Sequence, residues 1–517
     1  MSIELTRRGA LGAMASTAGL VALAACGAGG SGTPSGSTQA GPPRRGGTLR
    51  VGAVGTASKQ QRDPHMLLRN DSDNLIHSLV FDPLTVPAES EPVAPRLAKS
   101  WVSDPTQREW TFTIADGAVF HDGSPVRPED VVFSLRRLHG KPGGDWKVPV
   151  EPDDIQVAGP HAVKLVSKTP NSQLPLLLRF MTFVMKEGSP GLITDSPGTG
   201  PFVLESYTDG TARLRANDQW YGGRPYVDAI TVTPFADTQA LANAVTSGQI
   251  DLASAVGPLA GRAVAGRKDL AVVRRRDDTN VMLAMRASDG PFADPRVRQA
   301  VAKGIDRDAM VKQVYSGWGA AANDVLGVRD PKLDHSLVRR RDVEDAKRLL
   351  AEAKFDTSKR YTLYTKDETF GEVASARLAA TQLRDIGLQI DVSAQEPSVF
   401  YDKYWKTPQA SLMTVSWGTN DSIVFYAGKI LASTSSANET KFNDPEYDRT
   451  YADLLAHGHG QEQDAAFEKL QQIEFERGPY VSWGLADGVD VTKANVHGVP
   501  TITGYGRVQL EKVWLSS

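Results

Sequence analysis

The chain holds a single cysteine, Cys26, among 517 residues. A lone thiol cannot close an internal disulfide, and it leaves no zinc–thiolate centre or iron–sulfur cluster to be built within the chain. Neither G-x-S-x-G nor H-E-x-x-H occurs, so the signatures of an α/β-hydrolase nucleophile and of a zinc peptidase are missing. Beyond the first 26 residues no apolar run reaches the roughly 18 residues that a membrane span needs. Charge of either sign is not in excess. With 58 Lys+Arg against 61 Asp+Glu the net charge is −3, and no basic stripe is present, which speaks against nucleic acid as a partner.

What is present begins with the leader. "MSIELTRRGALGAMASTAGLVALAAC" pairs Arg7 with Arg8, continues in an uncharged Ala/Gly/Leu-rich stretch and ends in "LAAC". This is the pattern of a bacterial signal peptide over 1–26 with a lipobox, and the arginine pair resembles a twin-arginine signal. It places Cys26 as a lipid attachment point, the membrane contact as a lipid anchor, and the body outside the cytoplasmic membrane. Residues 27–45, rich in Gly, Ser and Pro, read as a flexible tether. Gly27, Gly29 and Gly32 match G-x-G-x-x-G by chance, since no strand precedes them.

From about Arg44 onward, 23% charged and 40% hydrophobic residues suit a globular body, and its length predicts at least two lobes. Short β-rich runs alternate with amphipathic helices, which predicts an α/β architecture. "GGTLRVGAV" is a strand by its alternation of Leu49, Val51 and Ala53 with polar residues or glycine. "EWTFTIADGAVFHDGSPV" predicts a strand, a glycine turn and a second short strand, followed by a helix opened by Pro128 with Glu129 and Asp130 in its first turn. Asp237 caps a helix ending at Gly248, with "QIDLA" as a strand beyond. Asp294 and Pro295 open another helix, whose apolar face carries Val297, Ala300, Val301 and Ile305. "VEDAKRLLAEAKF" and "EVASARLAATQLRDIG" are further helices, the second leading into the strand "LQIDV".

Five stretches occur in a characteristic order: "GGTLRVG", "WTFTIADGAVFHDGSPVRPEDVVFSLRRL", "GTGPFVLESYTDGTARLRANDQWYGGRPYVDAI", "PFADPRVRQAVAKGIDRDAMVKQVYSGWG" and "AKRLLAEAKF". From Gly46 to the C-terminus the chain resembles the extracytoplasmic solute-binding proteins of family 5, the peptide- and nickel-type binding components of ABC importers. The resemblance implies a two-lobed clamshell of the type II kind, monomeric, with ABC permease subunits as partners. It divides the body into lobe I (46–81, 191–278 and 485–517), a subdomain inserted in that lobe (82–190), and lobe II (279–484). Hinge crossings would fall near 276–282 and 482–488. It implies no catalysis and no cofactor.

A ligand in such a clamshell is gripped between strand ends and loops of both lobes. In peptide-binding relatives a strand-end tryptophan is followed three positions later by an aspartate that holds the peptide's amine. Here "SWGTND" puts Trp417 at the tryptophan and Asn420 at the aspartate, with Asp421 one place on and Thr419 before. Asn supplies no charge, which removes the charge-assisted part of the bond, on the order of 1–2 kcal/mol. Lys366 falls where such relatives carry an arginine for the peptide carboxylate. Ser58 after the first strand and Trp483 near the second hinge complete the expected ligand set. The solute is thus peptide-like or another small polar molecule. An oligosaccharide stacked on Trp417 and Trp483 is the alternative within the family, and an extracytoplasmic hydrolase the alternative outside it. The remaining polar motifs have structural readings. Asp122 and Gly123 make a turn with His121 bonded locally, and "HGHG" (457–460) is a solvated loop rather than a metal site. "RRR" at 274–276 and 339–341 are solvated basic faces.

Overall fold

The computed structural model describes residues 41–516 except 56–59, 67–69, 90, 367–369, 419–421 and 505, and leaves out the side chains of 145 and 146. Cys26, Ser58, Thr419, Asn420 and Asp421 therefore lie outside the described residues. Pro42–Ser517 forms one packed unit.

The alternation read in the first strand is realised: Leu49, Val51 and Ala53 in Thr48–Val54 are wholly buried. That strand pairs in parallel with Ala229–Phe235 on one side and with Leu252–Ala253 on the other. These three belong to an eleven-stranded sheet whose order from one edge is Gln389–Gln395, Arg360–Lys366, Leu412–Gly418, Leu270–Met285, Tyr480–Lys493, Leu252–Ala253, Thr48–Val54, Ala229–Phe235, Thr211–Ala216 and Phe202–Thr208, with Gly319–Ala321 paired to Tyr480–Lys493 off this path. Its two ends carry different cores. Val281, Leu283, Val301, Leu363, Leu383 and Leu412 pack at one, and Leu49, Leu75, Phe202, Leu214 and Ile230 at the other. The molecule is two-lobed α/β.

The long strands Leu270–Met285 and Tyr480–Lys493 run antiparallel through the middle of the sheet and connect the two cores. Their ladder shifts register by one residue between Val281, opposite Gly484, and Met282, opposite Ser482, and has a wider break between Arg275, opposite Gly488, and Thr279, opposite Ala486. Asp277 in the break has φ 56°, a left-handed conformation uncommon outside glycine. A separate antiparallel sheet, Ala98–Ser103, Glu109–Ile114, Ala162–Val166 and Ile155–Gly159, buries Trp110, Phe112 and Ile114 beneath the helix Pro128–His139.

Capping follows the sequence. Asp237 accepts from Ala240 N and Asp294 from Arg296 N, and Gly248 takes φ 80° at the end of Thr238–Thr246. Several expectations need correction. The helix opened by Asp294 stops at Gly304, because Ile305 turns extended and Asp306 caps a second helix, Arg307–Val314, by accepting from Ala309 N. "QIDLA" yields only Leu252–Ala253, and the second short strand near 120 is a single bridge between Val119 and Pro125. The ring of His121 does not bond locally: Nε2 meets Gly200 O at 3.0 Å across the fold. Arg274, Arg276, Arg340 and Arg341 are exposed as expected of solvated basic runs, but one arginine of each triplet is not. Arg275 is 2% exposed and ion-paired to Asp490, and Arg339 is buried against Asp324 at 2.9 Å. Their carboxylate partners stand 215 and 15 positions away, which local composition does not reveal.

Candidate functional site

Leu412–Gly418 lies beside the first crossing strand, with Trp417 opposite Asn280. Its first four residues are buried and its last three are half-buried, so the strand leaves the core as it reaches Ser416, Trp417 and Gly418. The strand end and the helix Ile423–Tyr426 that follows in sequence are each fastened in place. Tyr426 donates its hydroxyl hydrogen toward the carbonyls of Trp417 and Gly418 (3.2 and 3.1 Å). Ser422 caps Ile423–Tyr426 by accepting from Phe425 N, and Asp330 Oδ2 accepts from Ile423 N at 2.9 Å. Gly327, with φ 77°, lies against Ser422 and Ile423 so closely that a Cβ would come within 2.5 Å of Ile423 N.

Trp417 Nε1 donates to Glu439 Oε1 at 3.1 Å. Burial pushes the Glu439 carboxyl up to about 7, with the hydrogen bond from Trp417 opposing the rise. Lys429, on the π-turn Ala427–Leu431, holds its ammonium 5.0 Å from the centre of the Trp417 ring and 5.3 Å from that of Phe425, within cation–π range. Burial pushes the Lys429 ammonium well below its usual value; the charges of Lys147 and Lys406 add to the fall, and Glu439 resists it. Lys406 donates to Ser436 O at 2.8 Å and is likewise lowered by burial. Lys147, 2% exposed, is pushed down to about 8 by burial. On the same side, segment 172–180 reaches across to 425–455: Ser172 N donates to Leu455 O (2.9 Å), and the rings of Phe180 and Phe425 lie 4.6 Å apart.

The structure places the expected residues unevenly. Trp417 stands half-buried at the strand end. Lys366 ends the neighbouring strand Arg360–Lys366 but is 2% exposed, 3.8 Å from the buried carboxylate of Glu372. Glu372 Oε1 also accepts from the Ser416 hydroxyl at 2.9 Å, so Lys366 supports the Trp417 strand from inside the protein. Trp483 is wholly buried and stacks on Tyr315 at 5.0 Å, a core residue in this conformation. Sequence reasoning missed Lys429, Glu439, Lys147 and Lys406. Lys429 did leave a signal, as the one charge in the apolar run "SIVFYAGKIL". The other three become neighbours only through tertiary contact. Among the described residues no group of three or more His, Cys, Asp or Glu could hold a metal ion, and no helix is long and apolar enough to cross a membrane.

The model of the bacterial extracellular solute-binding proteins, family 5 Middle, matches residues 92–438. Among curated proteins, the probable di/tripeptide-binding protein 5 of Pseudomonas aeruginosa is 23% identical over 469 residues, covering 81% of this chain and 87% of its own. Among solved structures, the oligopeptide-binding protein AppA of Bacillus subtilis, in complex with a nonapeptide, superposes with a TM-score of 0.74 at 21% identity, covering 92% of this chain and all of its own. NikZ of Campylobacter jejuni, in complex with Ni(L-His), gives 0.76 at 18% identity, with 90% and 99% covered. One fold is therefore shared by proteins with different ligands.

Proposed function

Because the chain belongs to family 5 of the bacterial extracellular solute-binding proteins, we propose that it captures a peptide-like or other small polar solute between its two lobes and delivers it to the permease of an ABC importer. No bond is made or broken. The ligand's contacts with both lobes favour the closed form, and only a difference in affinity between open and closed states can drive that closure. Lobe I comprises 46–81, 191–278 and 485–517 with the insertion 82–190, and lobe II comprises 279–484. The two hinge crossings fall near 276–282 and 482–488, a reading supported by the break in strand pairing between Arg275 and Thr279. Residues 1–26 are a signal peptide, Cys26 carries the lipid, and 27–45 tether a monomeric body to the outer face of the cytoplasmic membrane.

The observation that carries this reading is Trp417. It is half-buried at the end of a strand next to the crossing pair, with its own carbonyl held by Tyr426 and the amide of Ile423 held by Asp330. A rigid aromatic wall at a strand end is what a cleft needs to grip one end of a solute. Asn420, Asp421, Thr419 and Ser58 complete the proposed contacts. The sugar reading is weakened by the burial of Trp483, which removes one of its two stacking faces. Native mass spectrometry of the gently purified protein tests the proposal. A ladder of small peptides supports it, a hexose ladder replaces the peptide with a sugar, and turnover of a bound compound at catalytic stoichiometry overturns the binding role.

A further inference from the structure

Glu439 is 1% exposed, and its Oε1 accepts from Trp417 Nε1 at 3.1 Å. The segment that carries it is stitched down on both sides. Asn438 donates to Phe442 O at 2.8 Å and to Ala432 O at 3.3 Å, while its Oδ1 accepts from Phe442 N at 3.1 Å. Thr440 O accepts from Ala287 N at 2.7 Å, just past the end of the crossing strand Leu270–Met285. Burying a carboxyl costs far more than burying an apolar side chain of similar size, so packing alone does not account for Glu439. The second torsion of a tryptophan is broad and roughly two-fold, so a half-buried indole at a strand end can present either edge. Only one of those orientations brings Nε1 to Glu439. Lys429 lies over one face of the same ring, 5.0 Å from its centre. One edge and one face of the indole are therefore occupied from within the protein.

We propose that Glu439 is a positioning residue for the cleft wall: by accepting the indole N–H it fixes one orientation of Trp417 and leaves the solute an aromatic face that offers no hydrogen-bond donor. This rests on the cleft proposed above and narrows the class of solute it takes. The part of the solute that meets Trp417 is apolar, because an acceptor brought to the indole finds its N–H already taken. An indole fixed before the solute arrives also loses less rotamer freedom on binding, worth about two- to tenfold in affinity for one immobilised side chain. Burial holds the Glu439 carboxyl up to about 7, so its neutral form, which glutamine reproduces, is well populated at pH 7.

The orientation can be read in the empty protein by nuclear magnetic resonance. Each of the nine tryptophans gives one indole N–H signal, and the signal missing from Trp417→Phe belongs to residue 417. That N–H is expected to exchange with solvent about tenfold more slowly than a free indole, a rate kept within about twofold in Glu439→Gln and raised about tenfold in Glu439→Leu. A wild-type rate equal to that of free indole overturns the proposal without any variant having to fold. Calorimetry with the tripeptide Ala-Ala-Ala then reads the wall. Glu439→Gln should bind it within about twofold of the wild type, and Glu439→Leu about two- to tenfold more weakly. Equal binding by Glu439→Leu overturns the positioning role. If Ala-Ala-Ala does not bind while the indole N–H is protected in the wild type and released in Glu439→Leu, the failure belongs to the peptide reading and the positioning of Trp417 stands.

Discussion

Replacing Glu439 by glutamine should stabilise the protein at alkaline pH and do nothing in acid. Glu439 is fully enclosed, and burial moves its carboxyl from 4.5 to about 7. At about 1.4 kcal/mol for each tenfold change in proton affinity, that move corresponds to about 3 kcal/mol. The sign follows from the direction. The folded protein binds this proton more tightly than the unfolded chain, so the contribution is complete below pH 4.5 and is lost as pH rises through 7. Glutamine stays neutral and keeps an oxygen to accept from Trp417 Nε1. Urea unfolding of wild type and Glu439→Gln between pH 4.5 and 8.5 should therefore show equal stability at the acid end. By pH 8.5 the variant should lead by about 3 kcal/mol. A difference that does not change with pH would refute the reasoning, because it would mean that Glu439 titrates alike in both states.

The same rules give further expectations. His65 and His77 are held down to about 4 by burial, so the unfolded chain takes up protons from pH 6.5 downward that the folded protein refuses. Each costs up to about 3 kcal/mol as pH falls from 6.5 to 4, opposite in trend to Glu439 and to Glu474, also raised to about 7. Relative to wild type, His77→Gln should gain stability on acidification, as urea titrations at pH 7 and pH 4.5 would reveal. Arg275→Met leaves Asp490 and Asp278 buried at the ladder break without their guanidinium, a loss of about 3–5 kcal/mol by chemical denaturation. Gly327→Ala forces a left-handed φ on alanine and a clash with Ile423 N, so it should lower stability by about 2 kcal/mol and weaken solute binding through displacement of Ser422 and Ile423. Thermal unfolding together with calorimetry checks both effects.

Much of this fold was legible because its signals are local. The alternation of Leu49, Val51 and Ala53 needs only a pleated strand with one apolar face, and Asp237 and Asp294 cap helices through bonds made within three residues. Where a signal was local but two readings competed, the structure chose. Ile305 continues the helical apolar pattern, yet Asp306 caps a new helix and ends the old one. What stayed hidden depends on partners distant in sequence. Arg275 looks solvated in "RRR" until Asp490, 215 positions on, meets it. Lys366 has the composition of a loop lysine until Glu372 encloses it, and Trp483 has that of a cleft aromatic until Tyr315 covers it. The site was half legible. Trp417 marked itself as a strand end, whereas Lys147 and Glu439 carry no mark that separates them from surface charges.

The most direct test of the account is the affinity of Trp417→Ala for the solute that co-purifies with the wild-type protein, measured by calorimetry beside urea unfolding of the empty form. A half-buried cleft wall predicts binding at least tenfold weaker with less than about 2 kcal/mol of stability lost, below the ~3–5 kcal/mol of a core tryptophan. Unchanged affinity, or a collapse of the empty protein's stability, would contradict it.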